Sequence, residues 1–273
     1  MAHEGSVLLV EDHQAYELQF REIFGDVDRF GSAEDLVESG MKGWPYAFVD
    51  FDLDREGTGL GVLEYLREHS PGTRVVIFTS LSENGRALFA LAAYHWYGAW
   101  AVTEKRSCSD EVLTALGREG RNPTPAGTVK LLREQAWRVD TLFPLPHALG
   151  VWRVWVAFGG SAPAIAKAHP YWNRNDLYDF STDTTAAVSQ FRQQCAALLA
   201  PPVQMPNGHM SQLSGQNQKV ITAFVETHSK FFYAPELDRI VNRVAPWNGA
   251  QASDFWGPLR APREEKRKKR PRR

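Results

Sequence analysis

Glu11, Asp12 and Asp50 are carboxylates that stand directly after short apolar runs, SVLLV (Ser6–Val10) for the first two and YAFV (Tyr46–Val49) for the third. Thr79 likewise follows RVVIF (Arg74–Phe78), and Lys105 comes just after AWAVT (Ala99–Thr103). Carboxylates that converge repel one another, by about 1 kcal/mol per pair at 4 Å in water and about 4 kcal/mol at an effective dielectric of 20. A hard divalent cation removes that cost, and Mg²⁺ commonly takes one or two carboxylates together with waters and phosphate oxygens. A carboxylate held beside such a metal can attack a phosphoryl donor. A lysine and a threonine hydroxyl can then hold the phosphoryl oxygens. The residue types are those that an aspartyl-phosphate needs.

The elements that would bring them together can be read from the pattern. The apolar runs ending at Val10, Phe30, Val49, Phe78 and Thr103 read as strands. Between them, Ala15–Phe24 (closed by Gly25), Ala33–Met41, Val62–Leu66 and Leu88–Tyr97 read as helices, and Glu111–Leu116 as a last one. Strand and helix alternate five times, which predicts a parallel sheet with helices on both faces, because parallel neighbours need crossover connections. Sites in such sheets form at the carboxyl ends of the strands. Glu11, Asp12, Asp50, Thr79 and Lys105 all fall there.

The stretches LLVEDH (Leu8–His13), FVDFDL (Phe48–Leu53), VIFTS (Val76–Ser80) and VTEKR (Val102–Arg106) closely resemble the receiver domains of two-component response regulators. The resemblance makes Asp50 the phosphoacceptor, and Glu11, Asp12, Asp50 and the backbone carbonyl of Asp52 the ligands of Mg²⁺. It makes Thr79 the switch hydroxyl, with Ser80 as its small neighbour, and Lys105 the lysine that senses the phosphoryl group. The side chains of Asp52 and Asp54 also read as ordinary loop solvation. The family often has Tyr or Phe three residues before the lysine, where Val102 stands here, and often a proline after it, where Arg106 stands. The switching aromatic is therefore missing at that position.

The chain has 273 residues and a net charge of -1, with 43% hydrophobic and 23% charged residues, enough to bury one large core or two ordinary ones. The charge is unevenly spread. Residues 1–125 hold 21 acidic against 11 basic side chains, residues 126–259 hold 9 against 11, and residues 260–273 hold 2 against 9. An acidic head suits cations and a basic tail suits polyanions. The two cysteines, Cys108 and Cys195, have no metal-ligand spacing. The opening MAHEGSVLLVEDHQ does not read as a signal peptide, and no apolar run is long enough for a spanning helix, so a cytoplasmic protein without membrane contact is expected.

Residues 119–128 (EGRNPTPAGT) read as a linker and Thr128–Val139 as a connecting helix. From Leu145 onward tryptophans and alanines become frequent, marking a second, mainly helical domain. There Ala162–Ala168, a loop over HPYWNRNDLYDF, and a helix capped by Ser181 loosely resemble the helix-turn-helix output of response regulators. That resemblance would place Thr182, Thr185, Ser189 and Arg192 on the DNA-reading side, opposite the apolar stripe Val188, Phe191, Cys195 and Leu198. A helical bundle without DNA contact is the other reading. Two further amphipathic helices surround Val220–Val225 and Leu237–Val244. The tail REEKRKKRPRR reads as disordered, either attracted to DNA phosphates or solubilising. His147, His169, His209 and His228 read as ordinary polar residues.

The expected fold is α/β: a doubly wound, flavodoxin-like five-stranded parallel sheet over residues 1–120, a connecting segment over 121–144, a mainly α-helical output domain over 145–258, and a basic tail over 259–273. The expected function is that of a non-catalytic response regulator, phosphorylated on Asp50 by a histidine kinase with Mg²⁺ and controlling transcription as a DNA-binding homodimer. The alternative is a signalling adaptor whose receiver gates a protein-binding helical domain. An enzymatic output lacks motifs after residue 120.

Overall fold

The computed structural model describes residues 6–54, 57–80, 86–143, 148–157, 161–168, 174–195 and 214–244. Five strands, β1 (Val7–Val10), β2 (Val27–Phe30), β3 (Tyr46–Val49), β4 (Arg74–Thr79) and β5 (Ala101–Glu104), form one sheet in the order β2-β1-β3-β4-β5. Every pairing is parallel, with Leu8 beside Ala47, Phe48 beside Val76, and Ile77 beside Val102. This is the flavodoxin-like order, whose ligand crevice opens where the strand order reverses, at the carboxyl ends of β1 and β3.

Helices α1 (Gln14–Phe24) and α5 (Asp110–Glu119) cover one face of the sheet. Their Phe20, Leu113 and Leu116 close over Leu9, Phe48 and Phe78. The other face takes α2 (Ala33–Ser39), α3 (Gly59–His69) and α4 (Arg86–Tyr97). Side-chain caps start three of these helices where the sequence offers a hydroxyl: Ser32 accepts from the Asp35 amide, Thr58 from Leu60 and Ser109 from Val112.

After residue 120 all regular elements among the described residues are helical. They are α6 (Ala126–Gln135), a 3-10 segment (Ala136–Leu142), α7 (Ala148–Ala157), α8 (Ala162–Ala168), α9 (Arg174–Gln194), α10 (Ser214–Thr227), the short α11 (Ser229–Phe232) and α12 (Leu237–Val244). The connecting segment is packed down. Asn122 and Thr124 bond to the backbone of Trp100 and Val102, and the 3-10 segment lies on α4. Trp96 and His95 of α4 both reach the Asp140 carboxylate.

One apolar cluster therefore runs from Leu8 and Ile77 of the sheet, through α4, to Trp152, Phe191, Phe224, Phe231 and Val241. Residues 86–93 of α4 are all buried, because the sheet lies on one side and the C-terminal helices on the other. The halves expected from composition share a core.

The helix expected to begin at a Ser181 cap begins at Arg174 instead, so Ser181 is an interior residue and much of the expected loop is helical. The physical reason is periodicity. Leu177 stands in the same three-and-four spacing as Ser181, Thr184, Val188, Phe191 and Cys195, which extends the stripe by a turn. The basic tail, residues 196–213 with His209, and His147 and His169 lie outside the described residues.

Candidate functional site: an acidic pocket at the strand ends

The sheet brings five polar side chains to one crevice. Glu11 and Asp12 follow β1, Asp50 follows β3, Thr79 ends β4 and Lys105 follows β5. The ladder carries past the strand ends, with the Asp50 amide donating to the Val10 carbonyl at 3.0 Å and the Glu11 amide to Phe30 at 2.9 Å. Backbone pairing on both sides of β1 thus fixes where the three acids emerge. Their oxygens lie within 4.8 Å of one another.

Asp50 is held at both carboxylate oxygens. Oδ1 accepts from the Thr79 hydroxyl at 2.5 Å and from the Phe51 amide at 2.6 Å, and Oδ2 pairs with Lys105 Nζ at 2.6 Å. Lys105 also reaches Glu11 Oε2 at 2.5 Å. Its ammonium lies 5.1 Å from the Tyr16 ring centroid and 5.8 Å from that of Phe78, so an aromatic wall backs the cation.

The electrostatics follow from burial. Glu11 is fully buried, and burial, reinforced by the neighbouring Asp50 carboxylate, raises its carboxyl to about 7. Burial works against the charge on Lys105, but Asp50 and Glu11 outweigh it and hold the ammonium pKa above its ordinary value. Among the described residues the three carboxylates have one ion-pair partner, Lys105, while Arg29 donates to the Asp12 backbone carbonyl, which leaves the pocket short of positive charge. Clustered carboxylate oxygens with that deficit are a donor set suited to a hard divalent cation. The described residues between 6 and 120 have the doubly wound, flavodoxin-like fold.

No family model matches the chain, and no curated protein matches it. Solved structures similar to it include two RcsB dimers bound to two parallel DNAs, at 13% identity over 81% of this chain and 98% of that one, with a TM-score of 0.46. Another is RcsB from Salmonella enterica serovar Typhimurium bound to promoter rprA in the presence of phosphomimetic BeF3-, at 16% identity over 70% and 98%, with a TM-score of 0.44. A third is a complex of the two-component response regulator RcsB with DNA, at 16% identity over 81% and 98%, with a TM-score of 0.43.

The expected residues are not all gathered here. The Asp52 carboxylate turns away to an ion pair with Arg86 Nη2 at 3.2 Å and another with Lys230. Burial would raise the Asp52 pKa, but Lys230 and then Arg86 lower it below the ordinary carboxylate range. Asp54 is exposed, as loop solvation requires. On α9, Thr185 is 8% exposed and its hydroxyl donates to the Ser181 carbonyl at 2.6 Å, so it does not stand on an open face. It is buried on α9, the helix that packs against α10 and the 3-10 segment. Ser189 is exposed, with its hydroxyl donating to the Thr185 carbonyl, and Arg192 is partly buried; the Thr182 side chain lies outside the described residues.

Three residues near the pocket carried no sequence signal: Arg86, Lys230 and Glu236. Arg86 opens a helix that the apolar pattern starts at Leu88. Lys230 and Glu236 meet the β3–α3 loop across a long stretch of chain, a pairing that no local spacing encodes.

Proposed function

We propose that the protein is a two-component response regulator whose Asp50 accepts a phosphoryl group from a histidine kinase. The observation that carries this reading is the convergence of Thr79 and Lys105 on the two carboxylate oxygens of Asp50, beside Glu11 and Asp12. In the transfer, an Asp50 oxygen attacks phosphorus and the phosphorus–nitrogen bond of the donor phosphohistidine breaks. The imidazole leaves with the bonding pair and takes up a proton. Glu11, Asp12, Asp50 and the Asp52 carbonyl would hold Mg²⁺, which when bound supplies charge neutralisation at the phosphoryl oxygens. The Lys105 ammonium pairs with one phosphoryl oxygen and the Thr79 hydroxyl donates to another. Hydrolysis by water restores the carboxylate and releases phosphate, so the only chemistry is at the protein's own aspartate.

The output of this reading is DNA binding by the C-terminal helices, hence control of transcription by a cytoplasmic homodimer. Exposed Ser189 and partly buried Arg192 remain its candidate contacts, with the basic tail adding non-specific attraction. The burial of Thr185 favours a second reading, a signalling adaptor whose helical half binds protein.

Intact mass after treatment with acetyl phosphate and Mg²⁺ tests the first step. A labile gain of about 80 Da, one phosphoryl group, in the parent and none in Asp50→Ala supports it. An equal gain in both, or none in either, overturns it. Binding to duplex DNA that weakens steeply with salt supports transcription control, and its absence leaves the adaptor.

A further inference from the structure

Residues 229–244 cross the receiver immediately beside the pocket. Lys230 pairs with Asp52, two residues after Asp50. Glu236 accepts from the Thr58 amide at 2.9 Å and from its hydroxyl at 3.3 Å, placing a carboxylate at the N-terminus of α3, where the helix dipole favours it. Gly61 makes room for it: a Cβ there would lie 2.7 Å from Glu236 Oε1. Arg243 grips both oxygens of Glu64 and reaches the Tyr97 hydroxyl at 3.2 Å. Between these anchors Phe231 is fully buried, its ring 6.4 Å from Phe51 and 6.4 Å from Trp96.

Phe51 ties this seat to the chemistry. Its amide donates to Asp50 Oδ1, and its ring stacks on Phe89 of α4 at 4.9 Å and lies beside Phe231. The space is tight, since a Cβ on Gly59 would meet the Asp50 carbonyl at 2.2 Å and Phe89 at 2.8 Å. Both Asp50 oxygens already have donors, so a phosphoryl group on either one displaces at least one of them. Val102 supplies no ring to carry that change along β5. A close-packed aromatic column responds by exchanging discrete arrangements rather than by bending smoothly.

We propose that residues 229–244 are the read-out segment of the pocket: docked across the β3–α3 loop, α3 and α4 while Asp50 is unmodified, and leaving that seat when Asp50 is phosphorylated. The inference rests on the phosphoacceptor reading of Asp50. Coupling is reciprocal, so any change that weakens docking also favours phosphorylation.

The test is amide hydrogen exchange of the full chain, before and after acetyl phosphate with Mg²⁺, with intact mass read on the same sample. Peptides from 229–244 should exchange about tenfold faster in the phosphorylated protein, while those of β1 and β3 stay unchanged. In Lys230→Ala the same peptides should exchange faster before phosphorylation, and in Phe51→Leu the difference between the two states should shrink. A mass gain with unchanged exchange in 229–244 overturns the inference and leaves the phosphoacceptor reading standing. No mass gain removes both. Faster exchange throughout the chain on phosphorylation would mean general loosening and would also overturn it.

Discussion

Arg243 closes on Glu64 with two nitrogens, joining the last described helix to the middle of α3. The Glu64 side chain is 4% exposed, and the Tyr97 hydroxyl also donates to it. Burial would raise the Glu64 pKa, but Arg243 and then Tyr97 hold it below the ordinary carboxylate range. Arg243→Ala leaves a buried acid with, among the described residues, Tyr97 and the weaker Arg67 and Arg239 contacts. A loss of about 2 kcal/mol in urea unfolding is expected, below the full cost of orphaning a buried charge because those partners remain. Glu64→Gln combined with Arg243→Ala should cost less than the two single changes added together, and strict additivity would contradict the pairing.

Gly59→Ala is the sharpest steric prediction. The added methyl would meet the Asp50 carbonyl at 2.2 Å, and backbone cannot give way as a flexible side chain can. A loss of about 3 kcal/mol is expected, together with slower phosphorylation because the clash bears on Asp50 itself. A variant that matches the parent in thermal melting would show that the turn after Asp50 is looser than this packing implies.

Lys105 is the cation shared by Glu11 and Asp50. Lys105→Met keeps the stem and removes the charge, so without metal the variant should lose about 3 kcal/mol. Mg²⁺ should then raise its melting temperature more than it raises that of the parent, because the ion would supply the missing positive charge. Asp12→Asn should weaken Mg²⁺ binding about tenfold in a calorimetric titration. Equal Mg²⁺ responses in all three proteins would argue against a metal in this pocket.

His228 sets an acid limit on the C-terminal half. It is buried, its Nδ1 lies 2.8 Å from the Phe224 carbonyl, and burial, with a contribution from the Arg192 charge, lowers its pKa to about 4. The unfolded chain, near 6.5, binds the proton first as pH falls. Stability from this group is therefore complete above pH 6.5 and is lost as pH drops toward 4. The loss is about 2 kcal/mol between pH 7 and pH 5. His228→Gln should flatten that part of the stability profile, measured by urea unfolding at several pH values. An unchanged slope would place the acid sensitivity elsewhere.

The α/β half was legible because its information is local. Each strand is a short apolar run ended by a polar residue, and a parallel sheet puts those ends on one side, so strand order alone gathers Glu11, Asp12, Asp50, Thr79 and Lys105. The buried stripe Val188, Phe191 and Cys195 was legible for the same reason, a helical period along one segment. The start of α9 was missed because a polar-looking loop composition hid Leu177, one residue that carries the period back by a turn.

What the sequence by itself determined is which residues lie at the ends of which elements, because the periods of strand and helix are written along the chain. What only the tertiary structure decided is which distant elements meet. It set Lys230 on Asp52, Glu236 on Thr58, Arg243 on Glu64, and the C-terminal helices on α4. Those contacts come from apolar faces finding one another in space, and burial of apolar area is non-directional, so the partner it selects has no signature in either segment alone.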